Sequence, residues 1–281
     1  MSNDGMRSTW TDVGAGWVEQ EQTFDAAFAP ITTALLAAAS IEPGHRVLDV
    51  GCGSGTLLEA AAASGATPVG VDISPTMVEA ARRRVPVAEV LLADAQSTDL
   101  LAAAPGPAFD RVVSRFGVMF FADPVEAFTR IRTATAPGGR LAFVCWRSDA
   151  ENPIFTRGTE VLTRRLPPVE RDPDGAPGPR AFADPDRVRT VLADAGWDRV
   201  AVEALDVVLD YSTATSDGVE ERLATILATG TGRDARARLE PELGAAAWAA
   251  LLDEVRTELR ATLVNGALRL PAATSLVTAS A

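Results

Sequence analysis

The chain has 281 residues, of which 47% are apolar, 23% charged and 6% aromatic. That is the make-up of a folded globular protein, with length for one large α/β domain or one domain with an appended lobe. The 26 basic residues face 38 acidic ones for a net charge of −12, so the average surface repels phosphate backbones and anionic lipid, which argues against nucleic acid and membranes as partners. Every basic residue is arginine, which excludes Schiff-base and lysine general-base chemistry. A high-GC codon bias accounts for this and for the alanine excess, leaving few positions where the planar fork of arginine is required. Cys52 and Cys145 are too few and too differently placed for a disulfide framework, and they suit a reducing compartment. The opening MSNDGMRSTW lacks the basic-then-apolar order of an export signal, and no apolar stretch is long enough to span a bilayer, so a cytoplasmic location is expected.

From Val18 to about Ser40, Phe24, Ala27, Phe28, Ile31, Leu35 and Leu36 recur at helical spacing, with Pro30 predicted to kink or restart the helix. After the turn Glu42-Pro43-Gly44, strands are predicted over Arg46–Val50, Thr67–Val71, Val87–Ala93, Arg111–Ser114 and Arg140–Trp146. Helices are predicted between them over Thr56–Ala63, Pro75–Arg84 and Pro124–Thr135. This alternation argues for an α/β fold, a doubly wound Rossmann-like parallel sheet. The segment Leu166–Arg180 reads as a surface loop, rich in proline, glycine and charge. Beyond it come a helix over Asp184–Ala195, a strand over Val200–Tyr211, helices over Asp217–Gly230 and Leu243–Val264, and a last short strand over Thr274–Thr278. The whole reads as one domain: an N-terminal helical lid over residues 1–41, a core over 42–150, and an acceptor-side part with a helical insertion over 151–281. Apolar faces in that insertion offer a surface for a homodimer.

The chemistry concentrates in Val47-Leu48-Asp49-Val50-Gly51-Cys52-Gly53-Ser54-Gly55-Thr56, where an apolar strand runs into glycines at a helix start. Glycines there let the backbone approach a ligand at a helix N-terminus. Asp72 follows 23 residues after Asp49 at the end of the second strand, where in this sheet type it faces ribose hydroxyls. A nicotinamide dinucleotide and S-adenosylmethionine both fit this pattern. The dinucleotide fingerprint, however, needs glycine or alanine where Thr56 stands, and Asp49 beside the loop suits an ammonium and a sulfonium better than a pyrophosphate. Asp94, ending the third strand, can accept a hydrogen bond from an adenine amino group. Each acid alone also fits a helix cap, and Ser74 before Pro75 is an N-cap signal, but three acids at successive strand ends fit a nucleoside site better.

VLDVGCGSG, GVDISPTMVEAARRR, LLADA, FDRVVSRFGVMFFADP and APGGRLAFVCW resemble the successive motifs of class I S-adenosylmethionine-dependent methyltransferases, in the subgroup of ubiquinone and menaquinone methyltransferases and small-molecule enzymes. The resemblance covers about residues 42–150 and implies a seven-stranded sheet with an antiparallel final hairpin, for which Val200–Tyr211 and Thr274–Thr278 are the candidates. It implies S-adenosyl-L-methionine as cofactor, S-adenosyl-L-homocysteine as product, and no metal. By position, Asp49 and Gly51 would hold the amino-acid end of the donor, and Gly53 and Gly55 would give its backbone room. Asp72 would bind the ribose, Ile73 and Met77 would lie against the adenine, and Asp94 and Ala95 would contact its amine and ring edge. Ser114 and Arg115 would face the methionine moiety. Pro137-Gly138-Gly139 would form the turn before the fifth strand.

Methyl transfer from a sulfonium is an in-line displacement that dissipates positive charge, so positioning and water exclusion supply most of the catalysis. His45 lies at the amino end of the first strand, away from the loop, and a base would have to be a carboxylate (Asp12, Glu19, Glu21) or Tyr211. An amine or electron-rich carbon needs least help, so carbon and nitrogen acceptors are expected ahead of oxygen. Trp10, Trp17, Phe24, Phe116, Met119 and Trp146 are the candidates to enclose a small aromatic or apolar acceptor, and natural-product metabolism is the expected setting. SRFG stands where enzymes that methylate adenine or glutamine carry Asn/Asp-Pro-Pro-Tyr. The alternatives are a protein that holds the donor without transferring methyl and, against the evidence of Thr56, a nicotinamide oxidoreductase.

Overall fold

A computed structural model describes residues 4–168, 172–173 and 175–281, apart from the side chains of Asp4 and Asp12. Its centre is a seven-stranded sheet built from β1 Arg46–Val50, β2 Thr67–Asp72, β3 Glu89–Leu92, β4 Phe109–Arg115, β5 Thr135–Trp146, β6 Asp198–Asp210 and β7 Arg269–Ser280. The spatial order is β3-β2-β1-β4-β5-β7-β6. β3 through β5 are parallel, and β7 runs antiparallel to both β5 and β6, which gives the expected final hairpin. β1 and most of β5 are buried, as strands covered on both faces must be. Among the described residues, no helix is long and apolar enough to cross a membrane.

Two helices of the first half, those starting at Pro75 and Pro124, begin where a side-chain cap precedes proline. α4 Thr56–Ala63 and α5 Pro75–Arg84 keep the predicted bounds, the latter capped by Ser74. Asp99 caps α6 Leu100–Ala103 and Asp123 caps α7 Pro124–Ala134 by accepting from backbone N–H groups. On one face of the sheet Phe128, Phe143 and Phe182 pack against one another with ring centroids 5.5–6.2 Å apart. The predicted turn Pro137-Gly138-Gly139 lies within β5 as a bulge: Phe109 pairs with Thr135 but Arg111 with Arg140. After it come α8 Thr159–Thr163 and α9 Pro185–Asp194. In the loop expected over Leu166–Arg180, residues 169–171 and 174 lie outside the described residues, and Gly178 returns to donate to the Met119 carbonyl.

Three helices precede the sheet: α1 Asp4–Glu19, α2 Glu21–Ala27 and α3 Ala29–Ala39, with Pro30 in the first turn of α3, where it restarts the chain as expected. α1 starts well before the predicted Val18, because its stability lies in docking and not in its own apolar periodicity. The Ser74 hydroxyl donates to the Trp10 carbonyl at 2.9 Å. A Cβ at Gly16 would sit 1.9 Å from the carbonyl oxygen of Ala228 in α10 Val219–Ala228. We therefore expect Gly16→Ala to push α1 off α10, at an overpacking cost of about 1–3 kcal/mol. Limited proteolysis reads this as faster cleavage within α1, and unchanged resistance would refute the tight docking.

α10, α11 Gly230–Leu243 and α12 Ala245–Arg260 lie between β6 and β7 and pack on one another and on α1 and α8. α11 fills what the sequence left as a gap, since its glycine-rich start and internal Pro241 hide the helical pattern. In α10 and α12 the apolar residues Leu223, Ile226, Trp248 and Val255 are buried within this chain.

Candidate functional site

The carboxyl ends of β1, β2, β3 and β4 open into one cavity of about 480 Å³, walled on its outer side by α1, α2 and α10. The position follows from the topology: the chain crosses to opposite sides of the sheet after β1 and after β4, which leaves a crevice at their ends. Val50 leads into a turn whose glycines all have positive φ: Gly51 (68°), Gly53 (53°) and Gly55 (96°). Gly51 admits no side chain, because a Cβ there would lie 2.7 Å from the Cα of Gly117.

The two acids nearest the turn differ in their partners. Asp72 clamps the loop: Oδ2 accepts from the Gly53 N–H and Oδ1 from the Ser74 N–H, both at 2.9 Å. Burial pushes its pKa up, opposed by hydrogen bonds from the backbone of Ser74, Gly53 and Ile73. Asp49, in β1, is 1% exposed, and its Oδ1 has no hydrogen-bond partner. Burial, with the Arg115 charge opposing and the Asp72 charge assisting, carries its pKa up to about 8. A buried carboxyl with a free oxygen on a cavity wall is matched by a cationic ligand group. Beyond Asp72 the wall continues through Ile73, Met77, Ala93, Asp94 and Ala95, with Asp94 Oδ1 accepting from the Gln96 N–H at 2.9 Å.

Asp49, Gly51, Gly53, Asp72, Ile73, Met77, Asp94, Ala95 and Arg115 thus line a single cavity. Gly55 and Ser114 stand behind the wall. A Cβ at Gly55 would lie 3.3 Å from the Cα of Ala81 in α5 and 3.5 Å from the Val85 side chain just past its end. The Ser114 hydroxyl donates to the Val50 carbonyl at 2.7 Å and accepts from the Gly117 N–H, fixing β4 to β1. Arg115 itself donates to Thr32, to Asp25 and to Thr56, so it ties α2, α3 and α4 together. Asp25 is also paired with Arg84 at 2.6 Å. Burial opposes its ionisation, but hydrogen bonds from Thr56 and Arg84 and the charges of Arg115 and Arg84 outweigh it and hold its pKa low.

The other half of the cavity is aromatic. Trp17 stacks on Phe24 with centroids 4.1 Å apart, Trp10 meets Phe120 edge-on at 5.0 Å, and Phe116 lies flat on Trp146 at 4.4 Å and 5°. Phe116 holds a positive φ of 68°, a strained position for a side chain of this size, which aims its ring at Trp146. All six acceptor-side candidates, Met119 included, reach the wall. Phe28, Ile154, Phe155, Arg222, Ile226 and Thr229 join them from segments with no local motif. Of the proposed bases only Glu21 lines the cavity. Glu19 is exposed at the end of α1, and Tyr211 is buried beneath Arg222 off the wall, while the side chain of Asp12 lies outside the described residues. His45 closes its own turn, with Nδ1 accepting from the Glu42 N–H at 3.0 Å.

A methyltransferase-domain family model matches residues 48–143. Over 172 residues the chain is 31% identical to demethylmenaquinone methyltransferase of Renibacterium salmoninarum, an alignment covering 58% of this chain and 71% of that one. It is 32% identical over 140 residues to aklanonic acid methyltransferase DauC of Streptomyces sp. (strain C5), covering 47% of this chain and 59% of the relative. Other relatives are spanned over only about half their length. The fold is shared with phosphoethanolamine N-methyltransferase 2 of Haemonchus contortus, solved with S-adenosyl-L-methionine, at a TM-score of 0.54 and 18% identity, covering 100% of this chain and 60% of that one. The chain therefore belongs to the class I S-adenosylmethionine-dependent methyltransferases, enzymes of the type that includes the demethylmenaquinone methyltransferases. The residues present fit that donor: the free oxygen of Asp49 awaits a cation, and acids stand at the ends of β1 and β2 and just past β3.

Proposed function

We propose that the enzyme methylates a small, largely aromatic or apolar metabolite, at carbon or nitrogen in preference to oxygen. The observation that carries this is the continuity of the cavity, with acids and glycines at one end and stacked aromatics at the other. The bound donor supplies an electrophilic methyl on a sulfonium. Asp49, Gly51, Gly53, Asp72, Ile73, Met77, Asp94 and Ala95 would hold it, while Phe116 and Trp146 present a flat surface on which an acceptor ring can be aligned. α1 covers the site and excludes water through Trp10 and Trp17. Glu21, which lines the cavity beside Phe24, would take the proton released after transfer. The chain has no lysine and its one histidine, His45, closes its own turn away from the wall, which supports carbon or nitrogen, whose attack needs no prior deprotonation. Similarity to an aklanonic acid methyltransferase supports a place in natural-product metabolism.

Incubation with S-adenosylmethionine and a panel of indoles, aromatic amines and phenols, followed by assay of S-adenosylhomocysteine and product mass, tests this. Turnover on a carbon or nitrogen acceptor is expected. Tight donor binding with no methylated product from any acceptor would favour a protein that keeps the donor without transferring methyl.

A further inference from the structure

Arg222, in α10, is 5% exposed and lines the aromatic half of the cavity. A guanidinium carries its charge at any accessible pH and has five N–H donors to satisfy. Its hydrogen bonds run to neutral oxygens, one to the Thr225 hydroxyl at 3.3 Å and one to the Ile154 carbonyl. Its Nε is buried without a partner, and the Tyr211 ring lies 5.5 Å from Cζ. Among the described residues it forms no ion pair.

Two other enclosed arginines differ from it in place or in partner. Arg46, off the cavity, donates to the carbonyls of Ala104 and Pro107 and stacks over Phe109, while Arg115 is paired with Asp25. A buried charge without a counter-ion is costly, and unlike Arg46 the Arg222 guanidinium stands on the wall of a cavity that can admit one. The cavity supplies the place for the missing anion, since Arg222 shares its wall with Phe155, which meets Trp146 edge-on at 5.3 Å.

We infer that the acceptor carries an anionic oxygen, a carboxylate in the simplest case, which Arg222 receives while the aromatic body of the acceptor lies against Phe116 and Trp146. This deepens the methyl-transfer reading and rests on it. Arg222 then acts as a specificity-determining residue, fixing which edge of the ring faces the donor.

The test titrates protein saturated with S-adenosylhomocysteine with 2-naphthoate and with its neutral isostere 2-naphthamide. The carboxylate should bind at least about tenfold more tightly, the gain of one charge-assisted pair. Arg222→Gln should abolish that preference and Arg222→Lys should retain part of it, a pattern that a merely structural arginine would not produce. Melting temperatures at or above that of the parent are expected for Arg222→Gln, because an unpaired buried charge is removed. Equal affinity for the two probes, binding of neither, or a preference that survives in Arg222→Gln overturns the inference. Failure of S-adenosylhomocysteine itself to bind would instead overturn the methyl-transfer reading, so the two failures are told apart.

Discussion

Asp72→Ala should lower the affinity for S-adenosylhomocysteine by about 2–4 kcal/mol, the sum of two effects at one carboxylate. The first is loss of the acceptor expected to meet the ribose hydroxyls at the end of β2. The second is the release of the Gly53 and Ser74 N–H groups, which both point at this side chain from 2.9 Å and hold the glycine turn against the start of α5. In calorimetry the change reads as roughly 30- to 1,000-fold in Kd. Asp72→Asn keeps one accepting oxygen but turns an amide N–H₂ toward one of the two donors, so it should fall between the parent and the alanine variant. Donor affinity unchanged in Asp72→Ala would contradict the placement of the nucleoside.

Asp49→Asn should separate binding from stability. With its pKa at about 8, Asp49 is mostly neutral at pH 7 in the free protein and must lose its proton to receive a cationic group. Donor binding should therefore release protons at pH 7, seen as a dependence of the calorimetric heat on the ionisation enthalpy of the buffer, and should tighten as pH rises toward 8. The stability effect has the opposite sign. A carboxyl whose pKa rises on folding from 3.8 to about 8 holds more protons folded than unfolded between those values, so stability falls as pH rises through that window. Asp49→Asn cannot ionise, so its melting temperature should exceed that of the parent at pH 9, with the difference shrinking toward pH 6. Its donor affinity should drop at every pH. A variant that melts lower than the parent at pH 9, or that binds the donor normally, would show that the buried charge is not held for the ligand.

The donor half of the site was legible because its chemistry is local. Asp49 and Asp72 end or nearly end their strands, Asp94 follows its strand, and glycines or a Ser-Pro cap mark the adjoining turns, so strand ends and site residues are read from the same few positions. Ser114 lies off the wall because its hydroxyl is engaged by the Val50 carbonyl and the Gly117 N–H, bonds between β4, β1 and the following turn that strand spacing alone does not reveal. Arg115 in turn is held by Asp25, Thr32 and Thr56, a network assembled from α2, α3 and α4 that no single segment reveals.

The acceptor half was legible where aromatic residues stand in or beside a recognised strand, as Phe116 and Trp146 do, and in the N-terminal helical segment, as Trp10, Trp17 and Phe24 do. Ile154, Phe155, Arg222 and Ile226 reach the same wall from stretches separated by some seventy residues and are brought together only by the helical insertion between β6 and β7. The length of β7 was underestimated because Pro271 reads as a strand breaker, yet it pairs opposite Val208 within the β6–β7 ladder. α1 escaped notice below Val18 because glycines at 14 and 16, which weaken a helix in isolation, are the positions at which it docks on Ser74 and Ala228.

An adenosyl donor held by Asp49, Asp72 and Asp94 at the carboxyl edge of the sheet has a direct thermodynamic signature. Titration calorimetry of the purified protein with S-adenosylhomocysteine, and with NADH in parallel, tests for it most directly. Micromolar binding of S-adenosylhomocysteine accompanied by proton release at pH 7, with no binding of NADH, is the predicted result. Binding of NADH, or no binding of S-adenosylhomocysteine at any pH between 6 and 9, would contradict it.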